Sequence, residues 1–326
     1  MLTVKQIYNL AIELGIKSDL RGSAVVKRKL DRVKKNYQEL SQDHKDEFDQ
    51  ERLSNPFSDT RFWGDPSRPV KRILAGIDIE VSDVLLANEL SKSGKKIDLV
   101  LAHHPIGSAL AGLHEVMDLQ VELMAKYGMP INVAESLTHI RMSEVSRGIS
   151  AVNHNRVIDA AKLLDFSIMC THTPTDNLVA NYLDKDIKKN LKNIETVGEL
   201  LKVIKKQPEY QEAIKLKAGP RLFCGKESNY TGKIALTEIT GGTEGSKEIY
   251  NHLSMAGIGT VVGMHMKEDN RLEAEKAHLN IVIAGHMSSD SLGMNLFLDE
   301  LVKRGVEVIP CSGLIRCSRL KKGKGK

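Results

Sequence analysis

DLVLAHHPIG (98–107) is an apolar run that stops on two adjacent histidines and a proline. Leu99 to Ala102 read as a short buried strand. Neighbouring side chains on a strand point to opposite faces, so His103 and His104 would diverge if the strand simply continued. Pro105 forces His104 into an extended conformation and prevents regular continuation. A break of this kind lets both rings face one site.

The same ending recurs along the chain. SIMCTH (167–172), TVVGMH (260–265) and IVIAGH (281–286) are also apolar runs that close on histidine, so five of the eleven histidines sit at predicted strand ends. Ligands of open α/β sheets bind in the crevice beyond the carboxyl ends of the strands, where His103, His104, His172, His265 and His286 can converge. Two of these ends repeat an offset: His172 precedes Asp176 in THTPTD, and His286 precedes Asp290 in GHMSSD. Four residues place both groups on one face if the strand passes into a helical turn. Imidazoles and carboxylates without thiolates suit divalent ions such as zinc, iron, manganese or nickel. Taken one at a time, these residues have plainer explanations. A lone strand-end histidine is usually a hydrogen-bonded residue, Asp176 and Asp290 fit the first turn of a helix, and Ser288 or Ser289 fits an N-cap.

Outward from these ends, RILAGIDI (72–79), VSDVLLANELSKSG (81–94) and KIDLVLAHH (96–104) alternate as strand, helix and strand. This is the rhythm of an α/β fold. Helices are expected between 133 and 165, before the strand FSIMCTH (166–172). Further strands are expected at EAIKLKAGPRLFCG (212–225), GKIALTEITGG (232–242), GIGTVVGMH (257–265), LNIVIAGH (279–286) and VEVIPCSG (306–313), with a helix over 246–255. Gly241, Gly242 and Gly245 are read as a tight turn in preference to a phosphate loop. The expected fold is α/β, with two interleaved halves (about 66–185 and 220–320) and mixed sheets. Its site lies in the cleft at the strand carboxyl ends.

Residues 1–65 are expected to form a charged helical extension, with SNPFSDTRFWGDPSRP (54–69) as linker. The formal charge is +5, but four lysines lie in the tail 321–326, and without them it falls to +1. The near-neutral body gives no footprint for nucleic acid. No apolar stretch has the length of a membrane span. Cys170, Cys224, Cys311 and Cys317 lack metal or redox spacing, and nothing at the start reads as a signal peptide, so a cytoplasmic setting is expected.

On DLVLAHHPI, THTPTDN and AGHMSSD, the chain resembles the dinuclear metal-centre proteins known as GTP cyclohydrolase I type 2 homologues. Order and spacing agree over 70–317, roughly three quarters of the chain. The resemblance implies two divalent ions per subunit held by His103, His104, Asp176, His286 and Asp290, with Asp290 bridging. It also implies a homo-oligomer, a toroidal hexamer with its metal sites facing an internal cavity, and a small-molecule substrate. His172 is then a proton donor or an orienting neighbour of the metals. Two departures stand out. The family usually has Glu where Asp290 stands, one methylene longer, and VGMH (262–265) replaces an acidic segment, leaving His265 outside the ligand set. The implied activity is metal-dependent hydrolysis of a nucleotide or cyclic amide-like substrate. The alternatives are a metal store, delivery protein or adaptor, and a scaffold that recruits partners through its N-terminal helices.

Overall fold

A computed structural model describes residues 1–320; the basic tail 321–326 lies outside the described residues. Among the described residues, eleven strands make three sheets. They are β1 (Leu2–Thr3), β2 (Thr60–Trp63), β3 (Pro69–Val70), β4 (Arg72–Gly76), β5 (Leu99–Ala102), β6 (Ser167–Thr171), β7 (Arg221–Cys224), β8 (Lys233–Glu238), β9 (Ile258–Gly263), β10 (Asn280–Ile283) and β11 (Glu307–Pro310).

The first large sheet has the order β11-β4-β5-β6-β2, and the second β7-β10-β9-β8. Each is parallel apart from one antiparallel edge strand, β2 beside β6 and β7 beside β10. β4, β5 and β6 are buried almost throughout, which is why they read as continuous apolar runs and not as alternating ones. The halves interleave because β11, from the end of the chain, joins the first sheet beside β4.

Two helices tie the layers together. Thr173–Asn190 buries Val179, Ala180 and Leu183 against the second sheet. His286–Val302 faces both ways, with Met294, Phe297 and Leu301 in the first core and Leu292 in the second. Both helices begin where a strand has just ended, so they carry the first residues after β6 and β10 into the space between the sheets.

The N-terminal helices Val4–Ser18 and Ser23–Glu39 form as expected, but residues 1–65 do not stand off as an extension. Val4, Ile7, Tyr8 and Ala11 recur at helical spacing and are buried in the first core with Phe57. The expected linker contains β2, whose Thr60 and Trp63 pair with Thr171 and Ile168. Its prolines bracket a strand at the sheet edge, where missing amide donors are tolerated.

The expected strand at 212–225 is also shorter. Pro208–Lys215 is a helix with proline in its first turn, burying Glu209, Tyr210 and Ala213 at helical spacing. Lys217, at φ 62°, ends that element before β7 begins.

Candidate metal centre

His103 and His104 follow β5, His172 follows β6, and His286 opens the helix after β10. Past β5 the regular ladder breaks: the consecutive amides of His103 and His104 both turn to the same neighbour, donating to the carbonyls of Gly76 (2.9 Å) and Ile77 (3.0 Å). The His103 and His104 ring centroids lie 5.1 Å apart. Although neighbours in sequence, both rings reach the same cluster, as Pro105 predicts.

Asp176 and Asp290 lie one turn into their helices and are buried. His103 Nε2 is 3.5 Å from Asp176 Oδ1 and 3.5 Å from Asp290 Oδ1. Asp290 Oδ2 is 3.5 Å from both His104 Nε2 and His286 Nε2. Despite its short side chain, Asp290 therefore turns one oxygen to each of two groups. His172 Nε2 is 3.7 Å from Asp176 Oδ2, and its ring centroid is 4.9 Å from that of His103.

The outer nitrogens fix the direction of the inner ones. His104 Nδ1 donates to Asp78 Oδ1 (2.6 Å), and His172 Nδ1 to Asp59 Oδ2 (2.8 Å). The Thr175 hydroxyl donates to the Thr171 carbonyl (2.7 Å) and so accepts from His103 Nδ1 (3.0 Å). These three rings turn Nε2 inward, the arrangement by which neighbouring groups prepare histidine as a ligand.

His103 Nε2, Asp176 Oδ1 and both oxygens of Asp290 are buried with no hydrogen-bond partner among the described residues. Leaving such atoms unpaired is costly. A separation of 3.5 Å is long for a hydrogen bond, yet donors on a tetrahedral ion with bonds of about 2.1 Å stand about 3.4 Å apart. Burial pushes His103 down to about 4, keeping it neutral and able to donate a lone pair, and pushes Asp176 up to about 8. Burial would raise Asp290 too, but the imidazoles of His103, His104 and His286 crowded around it outweigh burial and hold the group low. An acidic, lone-pair-rich interior of this kind fits a divalent cation. Three combinations could hold one: His103, His104 and His172; His104, His286 and Asp290; and His103, Asp176 and Asp290.

His265, the fifth strand-end histidine, stacks 4.7 Å from His286 and approaches Glu244 but joins none of these combinations. Ser288 and Ser289 do not cap their helix; Gly285 occupies that position, and Ser289 donates back to its carbonyl (2.6 Å). Gly241 and Gly242, at φ 93° and 90°, make the expected tight turn, held by Gln120 through the carbonyls of Gly241 and Thr243. Asp59 and Asp78 were missed by sequence reasoning. Neither falls in a periodic pattern, and the only signal was a carboxylate close to a strand.

The fold and cluster define an α/β protein with two mixed sheets and a buried His/Asp site at their strand ends. It has the NIF3 superfamily fold, that of the GTP cyclohydrolase I type 2 homologues. A NIF3 superfamily protein from Sphaerobacter thermophilus matches at 26% identity and a TM-score of 0.71, over 79% of this chain and 92% of that one. Reduced HcgD from Methanocaldococcus jannaschii matches at 15% and 0.47, over 76% and 86%. A Bacillus cereus protein related to NIF3 matches at 13% and 0.42, over 82% and 91%. No family model and no curated protein matches the chain. Among the described residues, no helix is long and apolar enough to cross a membrane.

Proposed function

We propose that this chain is a divalent-metal protein and a metal-dependent hydrolase acting on a nucleotide or another cyclic amide-like substrate. The observation that carries the metal assignment is the convergence of buried, unpartnered donor atoms from His103, Asp176 and Asp290. His103, Asp176 and Asp290 would hold one ion, and His104, His286 and Asp290 a second, with Asp290 shared. When bound, such ions supply Lewis acidity and a water acidified to near neutrality.

The remaining steps fall to the chain's own side chains. Asp78 and Thr175 lock the rings of His104 and His103, so the inward atoms need no reorganisation. His172 Nε2 faces the cleft beside Asp176 and is the atom that takes a proton and returns it to a departing nitrogen. The cleft is lined by Thr240, Thr243 and Met264 as well as His172 and His286, giving a substrate both polar and apolar contacts.

Hydrolysis is tested with a panel of nucleotides and cyclic amides on protein loaded with each candidate metal. Metal-dependent turnover that disappears in His103→Ala supports it, and intact turnover in that variant rejects it. A second reading, metal storage or delivery, draws support from the 38% side-chain exposure of His286, which leaves the outer ion open to exchange. Rapid transfer of metal to a competing apo-protein, with no turnover across the panel, favours that alternative.

The proposed assembly is a homo-oligomeric ring of six, tested by light scattering. The proposed setting is cytoplasmic, in keeping with four free cysteines.

A further inference from the structure

The turn after β6, which carries His172 and Asp176, is clamped by residues from the start of the chain. Gly15 lies so close to this turn that an added Cβ would stand 2.7 Å from Pro174 Cα. Asn177 Nδ2 donates to the Gly15 carbonyl (3.2 Å), and the His172 amide donates to Thr60 Oγ1 (3.2 Å). Between these contacts sits Asp59, fully buried. Its Oδ2 accepts from His172 Nδ1 (2.8 Å), from the Thr173 hydroxyl (2.6 Å) and from the Thr173 amide (3.3 Å).

The loop behind Asp59 is itself fixed. Asn55 accepts from the Phe57 amide (2.8 Å) and donates to the Thr60 carbonyl (2.9 Å) and the Tyr8 hydroxyl (2.8 Å). Asp59 therefore arrives on a rigid support anchored in the N-terminal helix. A carboxylate oxygen only accepts, so the ring nitrogen facing it must carry the hydrogen.

We propose that Asp59 is the positioning residue of His172: it holds the ring proton on Nδ1 and so keeps Nε2 as the atom that exchanges protons in the cleft. The N-terminal segment is then part of the reacting apparatus. This rests on the assignment of His172 as proton carrier beside a metal centre.

The test uses full-length protein with nitrogen-labelled histidine, its ring tautomers read by long-range proton–nitrogen correlation at mildly alkaline pH, with zinc content measured in parallel. In the wild type, His172 carries its proton on Nδ1. In Asp59→Ala that preference is lost, while Asp59→Asn, which keeps an accepting oxygen, restores it. Zinc content stays at the wild-type level in Asp59→Asn, which keeps an accepting oxygen for the turn, since Asp59 acts on the proton carrier and not on the ligands.

A wild-type ring protonated on Nε2 overturns the proposal even if Asp59→Ala fails to fold. An unchanged tautomer in Asp59→Ala overturns it too, as does loss of zinc in Asp59→Asn. Full zinc retention by His103→Ala sinks the metal centre instead and leaves the tautomer result standing on its own.

Discussion

His103 Nε2 and Asp290 Oδ1 face one another at 3.5 Å, both buried and neither hydrogen-bonded to any described residue. The other oxygen of Asp290 faces His104 and His286 at the same separation. If Asp290 is shared, removing it should harm both positions, while removing His286 should harm one. Elemental analysis after dialysis should therefore find Asp290→Ala nearly free of metal and His286→Ala with about half the wild-type content. Equal losses in the two variants would contradict the shared role.

Filling the centre should stabilise the fold. An ion at a hundred times its dissociation constant adds about 2.7 kcal/mol by mass action. Thermal melts with zinc and with a chelator should differ in wild type and coincide in Asp290→Ala. A chelator-insensitive wild type would count against a centre built into the native state.

The site was more legible than the frame around it. Strands that end in histidine announce themselves, because an apolar run interrupted by imidazole is uncommon and strand carboxyl ends are where α/β sheets bind ligands. That logic brought His103, His104, His172 and His286 together with Asp176 and Asp290. It could not reach Asp59 or Asp78, whose importance lies in which ring nitrogen they touch. The prolines around β2 read as a linker because a four-residue edge strand gives too little periodicity to outweigh them. Residues 212–215 were read into a strand running to 225 because the helix begins at Pro208 and leaves only its last turn in that window, too short to show helical spacing.

The close fit of Gly15 against Pro174 makes the N-terminal helix a determinant of the site. Gly15→Ala would place a Cβ 2.7 Å from Pro174 Cα and 2.8 Å from its Cβ. Either the helix or the turn with His172 and Asp176 must shift, at a cost of about 1–3 kcal/mol. Denaturant melts should show that loss, and zinc titration should show weaker binding. Wild-type behaviour in both would mean the clamp is slack.

Phe57 is fully buried in the first core. Phe57→Ala should cost about 3–5 kcal/mol, measured by denaturant unfolding, whereas truncation in a free-standing linker would cost almost nothing.

Glu244 supplies a pH dependence away from the proposed ligands. Burial alone would raise its carboxyl, but the hydrogen bonds from Lys267 and Thr243 outweigh it and hold the group at about 2. The folded value lies below the unfolded one of about 4.3, so the stabilisation is complete above that value and is lost as pH falls towards about 2. In metal-free protein, Lys267→Gln should flatten the fall in stability between about pH 5 and about pH 3. Parallel acid profiles for variant and wild type would rule out this contact as the source.

The buried donors of His103, His104, Asp176, His286 and Asp290 are proposed to form a two-ion centre. Its most direct test is anomalous scattering, at several absorption edges, from crystals of protein purified without added metal. Two peaks are predicted, one among His103, Asp176 and Asp290 and one among His104, His286 and Asp290. Crystals of metal-replete protein with no peak at these residues, or with metal bound only elsewhere, would contradict it.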